Sequence, residues 1–166
     1  MTEASDPAEP TDATRLEFVP MTDEDVLLWL PESMSYYEEA RLQAGDTEAG
    51  AAAARQASMD RFFPDGRHLI DGQFLFAIVA DGEDVGWLWL GPWGDGDQWW
   101  VWDIHVRAPH RRHGYARAAM AYAQRFAREH GAPVLGLNVF ANNVAAIDLY
   151  ESLGFEAASL HMTKTL

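Results

Sequence analysis

Two stretches of this chain hold residues whose types and spacing could do chemistry. The first is Val106-Arg-Ala-Pro-His-Arg-Arg-His-Gly-Tyr-Ala-Arg117. It reads as the junction between a strand and a helix. A helix N-terminus offers unpaired backbone N–H groups and a partial positive charge. Gly114 lets the backbone approach a ligand closely, and the small Ala116 keeps the first turn open. The arginines add charge, and the whole suits a pyrophosphate. Residues 104 to 128 contain no Asp or Glu, yet they hold six of the twelve basic residues: Arg107, Arg111, Arg112, Arg117, Arg125 and Arg128. Such a segment in an acidic chain points to a small anion; the bland alternative is one face of a solvated basic helix. The second stretch contains Tyr150, whose phenol can serve as a proton donor.

Two familiar phosphate loops fail against the first stretch. The P-loop needs Gly-Lys before Ser or Thr, and the only lysine is Lys164. The dinucleotide fingerprint needs three spaced glycines and a later acid, and only Gly114 is present.

The elements that must position these residues follow from periodicity. Leu16 to Pro20 is a short strand. Thr22 with the acids after it starts a helix that Pro31 is expected to interrupt, with a second piece from Glu32 to Leu42. Thr47 to Phe62 is an Ala-rich helix ended by Pro64-Asp65-Gly66. Phe74 to Ala80 and Val85 to Leu90 pair across an Asp81-Gly82 turn. Trp99 to Val106 is a third sheet strand. Helical periodicity runs from Arg112, with Ala116, Ala119, Met120, Ala123 and Ala127 on one stripe and Gly131 as C-cap. Val134 to Phe140 is a strand, Asn142 or Asn143 caps a helix to Ser152, and Phe155 to Leu166 is a final strand. The order is mixed α/β.

With 166 residues, residues 1 to 14 read as a disordered acidic tail and 15 to 166 as a single domain. The chain has no cysteine, which excludes disulfides, thiolate metal sites and a cysteine-bound acyl intermediate. It suits a cytoplasmic protein. The N-terminus has neither the basic nor the apolar part of a signal peptide, and no apolar run reaches membrane-span length. A formal net charge of −14 argues against a nucleic-acid face. The histidines have no metal-ligand spacing, so no metal is expected.

Arg111-x-x-Gly114-x-Ala116, after a strand ending Val106-x-x-Pro109, resembles motif A of the GNAT superfamily of acetyl-CoA-dependent N-acetyltransferases. Leu137-Asn-Val-Phe-Ala-Asn-Asn143-x-x-Ala146-x-x-Leu149-Tyr150-x-x-x-Gly154-Phe155 is similar to its motif B. The resemblance implies a mainly antiparallel twisted sheet with helices on both faces and a parallel, splayed strand pair at the CoA site. It implies acetyl transfer from acetyl-CoA to an amine of a small molecule or peptide, by direct attack in a ternary complex; the rival is a CoA-binding regulatory domain without turnover. On these residues, Ile104, His105 and Val106 would lend backbone groups to the pantetheine. Arg111, Arg112, His113, Gly114, Tyr115, Ala116 and Arg117 would surround the pyrophosphate. Asn138, on the second splayed strand, stands where some relatives keep a carboxylate and falls on the cofactor side. Asn143 would touch the pantetheine or cap its helix. Tyr150 would stand near the sulfur as acid.

The general base is open between Asp103 and His105, two apart on one strand and so on one face unless a bulge intervenes, and water with no single base. His105 ordinarily titrates in a useful range. Tyr36 and Tyr37 lie where the family's early helices cover the acceptor groove, and contact substrate or fill an amphipathic face. Six of seven tryptophans fall between Trp87 and Trp102. Alternation sends them to both sheet faces, as core, as a substrate wall including Trp102, or as a homodimer patch. Acidic charge around a groove favours cationic acceptors such as polyamines, aminoglycosides or peptide N-termini.

Overall fold

The computed structural model describes residues 15–94, 96–162 and 164. The tail 1–14 lies outside the described residues. Five strands form one sheet in the order β1 (Leu16–Pro20), β2 (Phe74–Ala80), β3 (Glu83–Pro92), β4 (Trp99–Val106) and β5 (Leu135–Leu137). All neighbours are antiparallel except β4 and β5, which are parallel. The β2–β3 turn has Asp81 and Gly82 at φ 51° and 85°. Those left-handed values are what a two-residue hairpin with the sheet's own twist requires.

Helices α1 (Asp23–Gln43) and α2 (Glu48–Phe62) cover one face, α3 (Tyr115–Glu129) the other, and α4 (Val144–Ser152) follows β5. Under α1 and α2 lies a core of Val26, Trp29, Leu30, Met34, Phe62, Phe63, Leu75, Trp87 and Trp89. Under α3 lie Phe76, Leu88, Leu90, Trp99, Val101, Met120, Ala123 and Ala127. Indoles therefore reach both faces, as alternation predicts. The small stripe of α3 explains its close seat: Ala119, Met120 and Ala123 are fully buried.

Four expectations change. Pro31 does not divide the first helix; α1 runs through it. Thr22 and Asp25 form a reciprocal capping box at its start, and Trp29, Leu30, Ser33 and Met34, on both sides of the proline, are anchored in the core. Pro31 itself is exposed, so the missing N–H is lost on the solvent side. Helix α3 starts at Tyr115, not Arg112. Arg112 and Gly114 have φ 68° and 82°, and left-handed residues cannot continue a right-handed helix. The strand expected over Val134–Phe140 pairs only at Leu135–Leu137. Residues 155–162 hold no strand, and residues 163, 165 and 166 of that expectation lie outside the described residues.

Candidate active site

The site is created by a fault in β4. Trp89 of β3 pairs with Asp103, but its neighbour Leu90 pairs with Val101. Trp102 is the extra residue of a bulge. The bulge turns Trp102 and Asp103 toward the same face and bends the strand away from β5. Pairing between β4 and β5 covers Trp99–Val101 and stops there. Beyond Val101 the two parallel strands form a fork. Arg107 N–H bonds to Val85 C=O, so the alternating backbone groups of Ile104 and Val106 turn away from β3 into the fork. The Val106 carbonyl accepts from Arg111 Nε at 2.9 Å.

The chain leaves β4 through a 3-10 turn at Ala108–His110 and reaches α3 at Gly114. No side chain caps this helix start. The first intrahelical bond runs from Ala118 N–H to Gly114 C=O. The N–H groups of Tyr115, Ala116 and Arg117 therefore have no helical partner. A Cβ on Gly114 would meet nothing, so open space lies before it. Left-handed residues at 112 and 114 lead into this helix start, whose first N–H groups are of the kind that suits an anion. His113 Nδ1 donates to the His110 carbonyl (3.1 Å), and its ring stacks on Tyr115. The Arg117 guanidinium donates to Ser152 Oγ at 2.7 Å, tying α3 to α4.

Three polar groups stand along β4 on the α1 face. Asp103 Oδ2 accepts from Ser33 Oγ at 2.7 Å and from Trp87 Nε1 at 2.6 Å. Among the described residues no side chain bonds its Oδ1. Burial raises the Asp103 carboxyl above the ordinary range, against the lowering effect of those two bonds. His105 shares the face, as alternation implies. It stacks on Trp87 (4.4 Å, 12°) and lies 4.3 Å from the Tyr36 ring. Its Nε2 is buried without a partner. Burial, and then the charge of Arg111, push the imidazole down to about 4. The expected titration of His105 near neutrality is therefore corrected: at pH 7 it is neutral. Arg107, over the Trp87 ring, bridges Glu32 of α1 and Asp84 of the hairpin.

Tyr150 comes from α4. It packs against the core under α3 and edge-on to Phe155 at 5.9 Å. Burial, and then the negative charge of Asp103, push its phenol up to about 12. The phenol thus feels the charge of a carboxylate on another element, α4 against β4.

The remaining expected site residues fall as follows, Asn143 in the capping role that is one of its two expected ones. Asn143 caps α4, its Oδ1 accepting from Ala146 N–H at 3.3 Å. Asn138 is exposed beyond β5, not on a strand. Tyr37 turns along α1 and accepts from Arg41 Nη1 at 3.1 Å, while Tyr36 joins His105. Trp102 packs on the core against Phe62 and Trp89. Ser33 was missed from sequence. Its one signal was a serine among Trp29, Leu30 and Met34 on a helix that needs no cap there. Among the described residues no three His, Cys, Asp or Glu side chains gather as a metal site requires.

The model of the acetyltransferase (GNAT) family matches residues 29–155, most of the chain and both arms of the fork. The chain belongs to the GNAT family. It is an N-acetyltransferase of this family. It is 30% identical over 151 residues to the uncharacterized N-acetyltransferase YycN of Bacillus subtilis, covering 89% of this chain and 96% of that protein. The crystal structure of YycN superposes with a TM-score of 0.80 over 92% of this chain and 99% of that chain, at 29% identity. Streptothricin acetyltransferase of Streptomyces lavendulae is 34% identical over 90 residues, 54% of this chain and 48% of that protein. The aminoglycoside N-acetyltransferase AAC(6')-Iy in complex with CoA shares the fold at 16% identity, with a TM-score of 0.55 over 94% of this chain and 97% of that chain. No helix among the described residues is long and apolar enough to cross a membrane.

Proposed function

We propose that this GNAT enzyme moves the acetyl group of acetyl-CoA to an amine of a small molecule or peptide by direct attack at the β4–β5 fork. The observation that carries the reading is the β4 edge left unpaired beyond Val101, and the uncapped start of α3 and the phenol of Tyr150 support it. The residues fit CoA. The backbone donors of Tyr115–Arg117 and the arginines at 111, 112 and 117 suit its pyrophosphate, and Ile104 and Val106 suit an added strand-like arm. When bound, acetyl-CoA supplies an activated acetyl thioester.

The rest is done by the chain's own groups. Tyr150, with its pKa near 12, keeps its phenolic proton throughout the neutral range, ready for a departing thiolate. Asp103, raised by burial, accepts a proton more readily than a solvated carboxylate. His105, pushed down to about 4, holds a proton weakly at neutral pH. Ser33 and Trp87 fix the orientation of Asp103. The net charge of −14 favours a cationic acceptor. The test is thiol release from acetyl-CoA across a panel of amines. Amine-dependent release supports the reading. CoA binding without release on any amine supports a regulatory domain instead.

A further inference from the structure

An aromatic seat adjoins the fork on the α1–α2 side. Trp93 stacks on Trp102 at 5.3 Å with planes 11° apart, and its ring lies 4.3 Å from Trp100. Trp102 is the bulge residue beside Asp103. Trp100 covers Gly136 of β5, where any Cβ would collide with its ring. The seat already holds a cation. Arg61, an exposed residue near the end of α2, lays its guanidinium 4.8 Å from Trp102, 4.8 Å from Phe62 and 5.5 Å from Trp93. Trp93 is itself 39% exposed, so the seat opens to solvent. Ring faces carry negative potential and hold ammonium or guanidinium groups, most strongly on tryptophan.

We propose that this seat binds the distal charge of a dicationic acceptor. This deepens the acetyl-transfer reading and rests on it. One nitrogen of a linear diamine or guanidino-amine goes to Asp103, and the other takes the place of the Arg61 guanidinium over Trp93 and Trp102. Arg61 reports the size and charge that the rings accept, and its exposed stem lets it leave. The neighbouring order Trp102-Asp103 puts the aromatic seat and the carboxylate side by side on one sheet face. A dication of suitable length meets both.

The test uses α,ω-diamines of increasing length and the monoamines of equal length. Binding is followed by calorimetry and turnover by thiol release. The parent should bind one diamine about tenfold more tightly than its monoamine, the size of one good cation–π contact. Trp93→Leu should remove that advantage and leave the monoamine unchanged. Arg61→Ala, at an exposed site, should strengthen diamine binding. If no amine releases thiol but calorimetry still shows the Trp93-dependent diamine preference, the acetyl-transfer reading fails and the seat stands. Equal binding of diamine and monoamine overturns the seat. So does tighter binding of an amine bearing a carboxylate that Arg61→Ala abolishes, for then Arg61 is an anion receptor.

Discussion

The two halves of β4 have opposite surroundings. Trp99–Val101 is paired on both sides, by β3 and β5, and Trp99 and Val101 are core residues. Asp103–Val106 is paired only by β3 and carries the polar groups of the site. One inserted residue, Trp102, separates them. The first half shows what a strand does when all its backbone groups are satisfied: it holds the sheet. The second shows what the same strand offers when one edge is left open: donors and acceptors for something other than protein.

The comparison breaks most sharply at the far end of the open half. Gly114→Pro demands φ near −65° where the backbone has +82°. It should cost CoA at least about 100-fold in affinity, a few kcal/mol of lost cradle. Calorimetry of CoA binding beside a melting curve checks this; unchanged affinity would remove the anion cradle from the account.

Ser33→Ala attacks the orientation of the polar half. It takes one donor from Asp103 and should destabilise the protein by about 1.5–3 kcal/mol, the usual contribution of a hydrogen bond to a charged group. Urea denaturation measures it. Trp87→Phe should behave similarly in sign. A loss near zero for both would mean that the carboxylate is held by other groups.

Asp103→Asn sharpens the comparison through pH. The folded carboxyl is raised from 3.8, so the folded state binds its proton more tightly than the unfolded chain. The stability contributed by the protonated form is present below about pH 3.8 and is lost as pH rises through the folded value. Parent and variant should therefore diverge with rising pH, the parent losing ground relative to the asparagine form. Melting temperatures from acid to neutral pH test this. Parallel curves would mean that Ser33 and Trp87 fully offset the burial.

Much of this division was legible in the residues. The Arg111-x-x-Gly114-x-Ala116 loop, the Asp81-Gly82 turn and the Asn143 cap depend on local backbone demands, and such demands leave marks in sequence. Asp103 and His105 were assigned to one face by simple alternation. The bulge lies just before them, at Trp102, so it did not disturb that pair. What was hidden depends on partners distant in the chain. The short β5 follows from β4 bending away, which Val134–Phe140 does not itself encode. The low pKa of His105 comes from burial under Tyr36 and from the charge of Arg111. Ser33 gains its role only when α1 crosses Asp103, 70 residues later. Pro31 marks a break by local propensity alone, and the core contacts of Trp29, Leu30, Ser33 and Met34 carry α1 past it.

The central claim is that the open half of β4 and Tyr150 form one catalytic fork. Tyr150→Phe tests it most directly, because the ring and its packing remain and only the proton donor goes. Thiol release from saturating acetyl-CoA with an accepted amine should fall by about 10²–10⁴-fold, with calorimetric CoA affinity unchanged. Turnover at the parental rate would contradict the claim and leave Tyr150 as a core residue.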